Sequence, residues 1–190
     1  MERLDPIIDA DVRERFSAVG RDLFLTGAIS SHGGNLSERH GGRIFITRRG
    51  AMLGRLGDLD VVWTRTSACD RDAECSRELV VHRALYEETA TRAVVHAHPV
   101  HTIARSIRYD VITPVDSEAL YVLGGAVPVV RAAETIGSAE AASLLAEALA
   151  GHPIAVLATH GVFAIGATLE EALYHVTCLE AACRVLDLLE

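Results

Sequence analysis

The sequence predicts an α/β fold in which helices cover a sheet within one layered domain, residues 1–190. Three observations support this prediction. Segments with helical periodicity alternate with short apolar runs typical of strands. A chain of 190 residues is long enough to bury one continuous core. Its composition, 49% hydrophobic and 23% charged, is that of a compact globular protein and excludes a disordered one.

The first half of the chain contains one amphipathic helix and two short strands. Apolar residues at helical spacing predict a helix over residues 11–26, which Gly27 ends. Apolar, β-branched runs predict strands at residues 43–47 and 61–63. Polar or glycine-rich stretches predict loops at residues 30–42, 48–58 and 67–74.

The second half continues the alternation. Pro99 is expected in the first turn of a helix, where its missing N–H costs nothing. The other predicted elements are a helix (76–89), a strand (93–98), a turn and strand (122–130), a helix (139–150), two strands (154–159, 161–166) and a helix (169–189). An apolar stripe on the last helix is more typical of a core than of a subunit interface. It comprises Leu169, Leu173, Val176, Leu179, Ala182 and Leu186.

Charge and composition exclude several classes of function. The net charge is −8 and the arginines are scattered among acids, which argues against nucleic acid as a partner. No apolar stretch has the length of a signal peptide core or a membrane span, so a cytoplasmic protein without a membrane partner is expected. The cysteines lack CxxC spacing and are predicted to be free thiols: Cys69, Cys75, Cys178 and Cys183.

All 18 basic residues are arginine, and the chain contains no lysine. A lysine Schiff base, a pyridoxal phosphate linkage and a phosphate-binding P-loop lysine are therefore excluded. If the protein breaks a carbon–carbon bond next to a carbonyl, a metal ion must accept the electrons.

Three histidines are candidates for that metal. His96 and His98 are two residues apart at the end of a predicted strand, so both can point to one side. His160 lies at a tight turn between two apolar strands. Three imidazoles with one open position are the usual ligands of catalytic zinc. A single histidine beside an apolar run is more commonly a hydrogen-bonded core residue, so the spacing alone leaves both interpretations open.

Glu78 and His82 are four residues apart on the helix that precedes the histidine strand. A glutamate beside a metal can bind it or act as a general base. The alternative for Glu78 is a solvated surface position. For His82 we favour packing or support of the metal ligands over direct metal binding.

Six segments together carry a family resemblance. GGNLSER, FITRRG, SRELVVHRALY, AVVHAHPVHT, LATHGVFAIG and LEEALYHVTCLE occur in the order and approximate spacing of the class II aldolase/adducin family. The chain resembles this family from about residue 12 to 189 and looks closest to its small L-fuculose-1-phosphate aldolase-like members.

The resemblance implies a three-layer fold with a mostly antiparallel central sheet flanked by helices, and a ring-like homotetramer with active sites between subunits. It implies zinc, or another divalent transition metal, on His96, His98 and His160, with Glu78 as a further ligand that leaves the metal to carry a proton. The residues that match the family's phosphate-binding loops are Gly34, Asn35, Gly50 and Ser76.

The implied reaction is the reversible cleavage of a ketose 1-phosphate, such as L-fuculose 1-phosphate, to dihydroxyacetone phosphate and a short aldehyde. The metal stabilises the enediolate, and Glu78 protonates its carbon. The substrate would be a small sugar phosphate or a related anion.

This sequence departs from the family pattern at the phosphate loops. His32 replaces a small hydroxyl residue, Arg48 and Arg49 replace the middle of a TPSG-like turn, and Arg77 follows Ser76. Arginine binds carboxylate as well as phosphate. Arg48, Arg49 and Arg77 are therefore either ligands of an additional anionic group or solvated charges. The first interpretation keeps open a metal-dependent decarboxylase of the same fold that acts on a hydroxy or keto acid.

A tyrosine that family members contribute from the neighbouring subunit has no obvious counterpart. Glu118 and Tyr121 both lie near the corresponding place in the sequence. Glu118 is the candidate for protonating the aldehyde oxygen. Tyr121 is either the proton donor in its place or a residue that packs in the core or at an interface. A non-catalytic, adducin-like interaction module remains a further alternative, which metal analysis tests. A 4-epimerase is disfavoured because those relatives use residues in a longer carboxyl-terminal region.

Overall fold

A computed structural model of the chain describes residues 8–190. The prediction that the amino terminus forms no signal sequence falls partly on residues 1–7, which lie outside the described residues. Within the described range, no helix is both long enough and apolar enough to cross a membrane.

Helices and strands alternate through the described chain. The helices are α1 (Ala10–Leu25), α2 (Leu79–Glu88), α3 (Val100–Arg108), α4 (Ser117–Leu123), α5 (Ala139–Leu149) and α6 (Leu169–Leu189). The strands are β1 (Asn35–His40), β2 (Arg43–Thr47), β3 (Val61–Arg65), β4 (Ala93–Ala97), β5 (Val111–Ile112), β6 (Val127–Val130), β7 (Ile154–Leu157) and β8 (Gly161–Gly166). Two 3₁₀ turns, Leu53–Arg55 and Asp70–Glu74, lie in connecting segments.

The strands form one eight-stranded sheet in the order β3-β2-β1-β4-β8-β7-β6-β5. Neighbours are antiparallel except for β6 and β7, which pair in parallel. The predicted α/β fold with a mostly antiparallel central sheet is confirmed. β4 lies in the middle of the sheet, so the histidine strand has a paired neighbour on each side.

Two hydrophobic clusters cover the two faces of the sheet and give three layers. Val95 and Ala97 of β4 pack with α1, α4 and α6 on one face. Val94 points to the opposite face and packs with α2 and α5. The apolar stripe of α6 belongs to the first cluster, so its predicted core role is confirmed. All four cysteines are free.

The prediction of a loop over residues 30–42 is wrong for the part that forms β1. Polar composition suggested solvent exposure, but polar side chains of β1 are buried against specific partners. Glu38 accepts two hydrogen bonds from Arg15 and lies 2.9 Å from His40 Nε2, and Ser37 bonds the side chains of His82 and Tyr86. A buried polar group is stable when it is paired in this way.

Other boundaries shift for local reasons. The predicted helix 76–89 begins only at Leu79, with Glu78 at its N-cap. The predicted strand 93–98 ends at Ala97, so His98 lies just beyond it. Helix α4 was not predicted; the Asp116 side chain caps it by accepting from the Ala119 N–H, and Gly124 ends it in the left-handed conformation.

Candidate active site

The rings of His96, His98 and His160 meet at one end of the β4–β8 pair. His96 Nε2 lies 2.9 Å from His98 Nε2 and 3.0 Å from His160 Nε2. One nitrogen from each ring can be chosen so that all three lie within 4.8 Å of one another. Tetrahedral zinc with nitrogens at about 2.0–2.1 Å would hold them about 3.3 Å apart. The three nitrogens therefore fit one divalent ion.

A backbone hydrogen bond fixes the tautomer of His96. Its Nδ1 lies 2.9 Å from the Val162 carbonyl oxygen, and a carbonyl only accepts, so Nδ1 carries the proton and Nε2 presents its lone pair. Burial lowers the pKa of His96, and it lowers the pKa of His98 to about 4. The imidazoles are thus neutral near pH 7, which is the form that binds metal.

Packing holds the histidine rings in place. Phe163 stacks on His96 with ring centroids 4.1 Å apart and an interplanar angle of 16°. Gly33 leaves room for His98, since a Cβ there would lie 2.8 Å from His98 Nδ1. Thr159, directly before His160, has a left-handed φ of 66°, which is costly for a β-branched residue and marks a backbone held under strain next to the site.

Glu78 places a buried carboxylate beside this group. Its Oε1 lies 3.7 Å from His160 Nε2, and its Oε2 accepts a 3.1 Å hydrogen bond from the Gly137 N–H. Burial raises the pKa of Glu78 to about 7, although the Gly137 N–H acts in the opposite direction. The group can therefore both give and take a proton near neutral pH.

Glu78 and His82 do not form a pair, despite their spacing. Glu78 turns towards His160 from the N-cap, whereas His82 is fully buried and its ring nitrogens face Ser37 and Asn35. Burial lowers the pKa of His82 to about 3. His82 is therefore a neutral packing residue that supports Asn35, in line with the interpretation favoured from sequence.

A cleft of about 320 Å³ opens at the histidines. It is lined by the metal candidates, by Glu78, and by all the residues that the sequence suggested for substrate binding: Gly34, Asn35, Arg49, Gly50, Ser76 and Arg77. The turn at residues 48–50 is held against the segment before α2 by hydrogen bonds from the Arg49 N–H to the Glu74 carbonyl and from the Ser76 N–H to the Thr47 carbonyl.

The three arginines near the cleft differ in their partners. Arg48 donates to the Leu59 carbonyl and forms a 2.9 Å ion pair with Glu74. The exposed side chains of Arg49 and Arg77 have no hydrogen-bond or ion-pair partner among residues 8–190. These two guanidinium groups are available to an anionic ligand.

Glu118 and Tyr121 lie elsewhere on the surface. Neither lines the cleft of its own chain. Glu118 accepts a 3.0 Å hydrogen bond from the Tyr174 hydroxyl. Tyr121 is 90% exposed, so core packing is wrong for it and an interface role remains a prediction.

The structure adds residues at the site that the sequence did not suggest. Gly137 reaches Glu78 through its backbone N–H from a loop 59 residues further along the chain. Its φ of 61° and the nearby Arg77 carbonyl leave no room for a side chain. Ile136, the residue before Gly137, lines the cleft, as does Ala51. A lone glycine in a loop is too common a pattern to identify such a contact.

The fold and this site define a class of protein. Residues 14–186 match the family model described as Class II Aldolase and Adducin N-terminal domain, and the chain belongs to that family. It is a metal-dependent lyase of the class II aldolase type.

Particular relatives differ in their reactions. The chain superposes on the crystal structure of L-fuculose-1-phosphate aldolase from Thermus thermophilus with a TM-score of 0.90 and 35% identity, covering 95% of this chain and 94% of that one. It is 28% identical to 3-oxo-tetronate 4-phosphate decarboxylase of Escherichia coli K12 over 96% of this chain and 89% of the relative.

A third relative is a longer protein. The chain is 30% identical to a Nocardia farcinica protein named "Probable bifunctional methylthioribose-1-phosphate isomerase/methylthioribulose-1-phosphate dehydratase". The match covers 94% of this chain but only 36% of that protein.

Proposed function

We propose that the protein is a zinc-dependent aldolase that reversibly cleaves a ketose 1-phosphate, such as L-fuculose 1-phosphate, to dihydroxyacetone phosphate and a short aldehyde. The observation that carries the proposal is the convergence of three imidazole Nε2 atoms beside a buried carboxylate. The likeness to the Thermus thermophilus enzyme along nearly the whole chain supports the same reaction.

His96, His98 and His160 would hold the metal, with Glu78 within reach as a further ligand. A bound divalent cation polarises substrate oxygens and stabilises the negative charge that carbon–carbon cleavage leaves behind. Imidazole ligands suit zinc, and manganese, cobalt or iron can occupy similar sites.

Glu78 carries the proton of the reaction. Cleavage leaves an electron pair on the dihydroxyacetone phosphate fragment, and the Glu78 carboxyl delivers a proton from Oε1 to that carbon; in the synthetic direction Oε1 removes it. Burial supports this role because it raises the pKa of Glu78 to about 7, so that both protonation states are accessible near neutrality.

Other lining residues of the cleft would bind the anionic end of the substrate. Asn35 and Ser76 offer side-chain donors, and the backbone around Gly34 and Gly50 offers N–H groups. Gly50 has a φ of 77°, a conformation that suits a tight anion-binding turn.

Glu118 would act in the cleft of a neighbouring subunit as the proton donor to the aldehyde oxygen. Its position on the exposed part of α4, outside its own cleft, supports a contribution to a second chain. We therefore propose a homotetramer with active sites between subunits.

The test combines metal analysis with a substrate panel. Purified protein should contain zinc or another transition metal, and should release dihydroxyacetone phosphate from L-fuculose 1-phosphate or a stereoisomer, detected with a coupled glycerol-phosphate dehydrogenase. Protein without bound metal would point to an adducin-like module. Metal-loaded protein that cleaves none of the four stereoisomers that differ in configuration at C3 and C4 would contradict the aldolase proposal.

A second candidate function is decarboxylation of a phosphorylated hydroxy or keto acid. Arg49 and Arg77 favour it, because two unpaired guanidinium groups at the cleft can hold a carboxylate as well as a phosphate. The Escherichia coli relative named 3-oxo-tetronate 4-phosphate decarboxylase also supports it.

Carbon dioxide release separates the two functions. If the protein is a decarboxylase, 3-oxo-tetronate 4-phosphate should yield carbon dioxide, and R49S and R77S should each raise KM for the acid. R21S, on an exposed arginine of α1 outside the cleft, is the matched control. Release of dihydroxyacetone phosphate without carbon dioxide would favour the aldolase.

A further inference from the structure

Four buried polar side chains form a hydrogen-bonded series that ends at the cleft. Tyr86 and His82 lie on α2, and Ser37 and Asn35 lie two residues apart on the face of β1 that meets α2. Tyr86 Oη is 2.6 Å from Ser37 Oγ, Ser37 Oγ is 2.6 Å from His82 Nδ1, and His82 Nε2 is 2.5 Å from Asn35 Oδ1. Of the four residues only Asn35 lines the cleft.

Only one direction of donation along these four side chains gives every hydrogen an acceptor. The Tyr86 hydroxyl has Ser37 as its one partner in the described chain, so it must donate to Ser37 Oγ. Ser37 then donates to His82 Nδ1, and His82 donates from Nε2 to Asn35 Oδ1. The reverse direction would leave the Tyr86 hydrogen buried and unpaired, which carries the full desolvation penalty of that group.

Contacts with Arg39 hold Tyr86, the first residue of this hydrogen-bonded series, in place. Arg39 donates a 2.6 Å hydrogen bond to the Tyr86 carbonyl, and its guanidinium lies 5.3 Å from the centre of the Tyr86 ring. Burial lowers the pKa of His82 to about 3, so its ring is neutral near pH 7 and carries one proton for one acceptor.

We propose that Tyr86, Ser37 and His82 are positioning residues that hold the Asn35 side chain with its N–H groups turned into the cleft, ready to donate to an anionic group of the substrate. The Asn35 amide nitrogen has no hydrogen-bond partner among the described residues, as expected for a donor kept for a ligand. Only the identity of the anionic group rests on the proposed function.

The chain offers an unusual probe of this arrangement. Asn35 is its only asparagine, and it has no glutamine. A ¹⁵N–¹H spectrum of the protein therefore contains a single side-chain carboxamide pair, which needs no further assignment. Titration of metal-free protein with inorganic phosphate should shift this pair saturably. Phosphate that binds without moving the pair, or that does not bind at all, overturns the inference.

Variants away from the cleft test the role of this hydrogen-bonded series. H82L removes the donor to Asn35 and should weaken phosphate binding by about tenfold. S37A interrupts the hydrogen-bonded series but keeps the His82 imidazole, and should weaken phosphate binding by about threefold. Each effect comes from the loss of one oriented hydrogen bond. S17A, at a half-buried serine of α1, is the matched control and should bind as wild type does. H82Q should restore part of the affinity, because a glutamine amide can donate to Asn35 Oδ1.

Steady-state kinetics distinguish positioning from a merely structural role. Weaker orientation of Asn35 should raise KM for a phosphorylated substrate while kcat changes less than about twofold. Unchanged phosphate affinity and KM in both S37A and H82L would contradict the inference even if the variants were less stable. Failure of the proposed function, in contrast, would appear as absent turnover by the wild type with the phosphate-induced shift of Asn35 intact.

Discussion

At the scale of single residues, His96 is held more tightly by its neighbours than the other two candidate metal ligands, His98 and His160. It is 1% exposed, its Nδ1 is committed to the Val162 carbonyl, and its Nε2 faces both other imidazoles. The metal should therefore depend on His96 more than on any surface histidine.

We expect H96A to lower zinc affinity by more than about 100-fold, because it removes one of the three proposed ligands and the effect should exceed that of losing a supporting contact. Chelator competition and elemental analysis of the purified protein measure this. H152A, at a half-buried histidine outside the cleft, is the control. Stoichiometric zinc in H96A would refute the assignment.

Substitution of Glu78 separates proton transfer from metal binding. E78Q keeps an oxygen that accepts the Gly137 N–H but cannot carry the proton, so kcat should fall about 100- to 10,000-fold. Zinc content should stay near that of the wild type, since three imidazoles remain. A kcat within tenfold of the wild type at full metal loading would exclude Glu78 as the proton carrier.

Asp72 links stability to pH at a position away from the metal. A bidentate hydrogen bond from Arg83 is the main cause that lowers the pKa of Asp72 from 3.8 to about 2. Because this pKa is lower in the folded state, the carboxylate stabilises the fold fully above pH 3.8, and the contribution is lost as pH falls towards 2.

D72N should therefore unfold more easily than the wild type near neutral pH, by about 1–2 kcal/mol after allowance for partial exposure. The difference should shrink as the pH falls from about 4 to about 2. Urea unfolding of metal-free protein at several pH values measures it. D58N, at a carboxylate that is 94% exposed, should show no such trend. A pH-independent difference for D72N would contradict the linkage.

At the scale of elements, glycine positions decide how closely loops approach the histidines. A Cβ on Gly33 would lie 2.8 Å from His98 Nδ1 and 3.0 Å from Ser30 Oγ, so the His98 ring would have to move. Gly42 has open space around its Cβ position and an ordinary backbone, which makes it a matched control.

G33A should reduce zinc affinity by about tenfold, a value typical of disturbed metal-ligand orientation, whereas G42A should leave it unchanged. Chelator competition again provides the measurement. Equal affinities in G33A and the wild type would mean that the loop before β1 yields more readily than the His98 ring.

The strands that the sequence pattern predicted correctly are those that bury mostly apolar side chains. Strands β2, β4 and β8 are runs of apolar residues, and their predicted positions agree with the structure to within a residue. β1 was not predicted because its polar residues are buried by partners distant in sequence. Ser37, for example, bonds a histidine 45 residues away and a tyrosine 49 residues away. Composition cannot reveal such pairing.

At the scale of the whole molecule, the proximity of the histidines was partly predictable. The spacing of His96 and His98 suggested one ligand pair, and the apolar strands around His160 suggested a sheet end. The contact between Glu78 and Gly137 was not predictable, because it is made by a backbone N–H whose position depends on the complete packing of α2 against α5.

A complementation experiment tests the proposed shared sites. H96A and E118Q should each be weakly active as pure oligomers, but subunits of the two variants mixed by refolding should regain activity. If each site combines His96 of one chain with Glu118 of another, random mixing leaves about a quarter of the sites with both residues intact. Mixtures no more active than their components would indicate sites made by one chain, or no role for Glu118. If pure E118Q shows full kcat, Glu118 has no role in the reaction.

The order of strands in the sheet has a consequence for biosynthesis. β8 lies beside β4 in space, yet His160 follows His96 by 64 residues. At about 5–20 residues per second, a ribosome needs roughly 3–13 s to add that interval. During it the nascent chain contains Glu78, His96 and His98 but lacks His160, so the proposed ligand set is incomplete. Metal capture should therefore follow closure of the central sheet, so that the ion stabilises a finished fold by mass action instead of nucleating an early one.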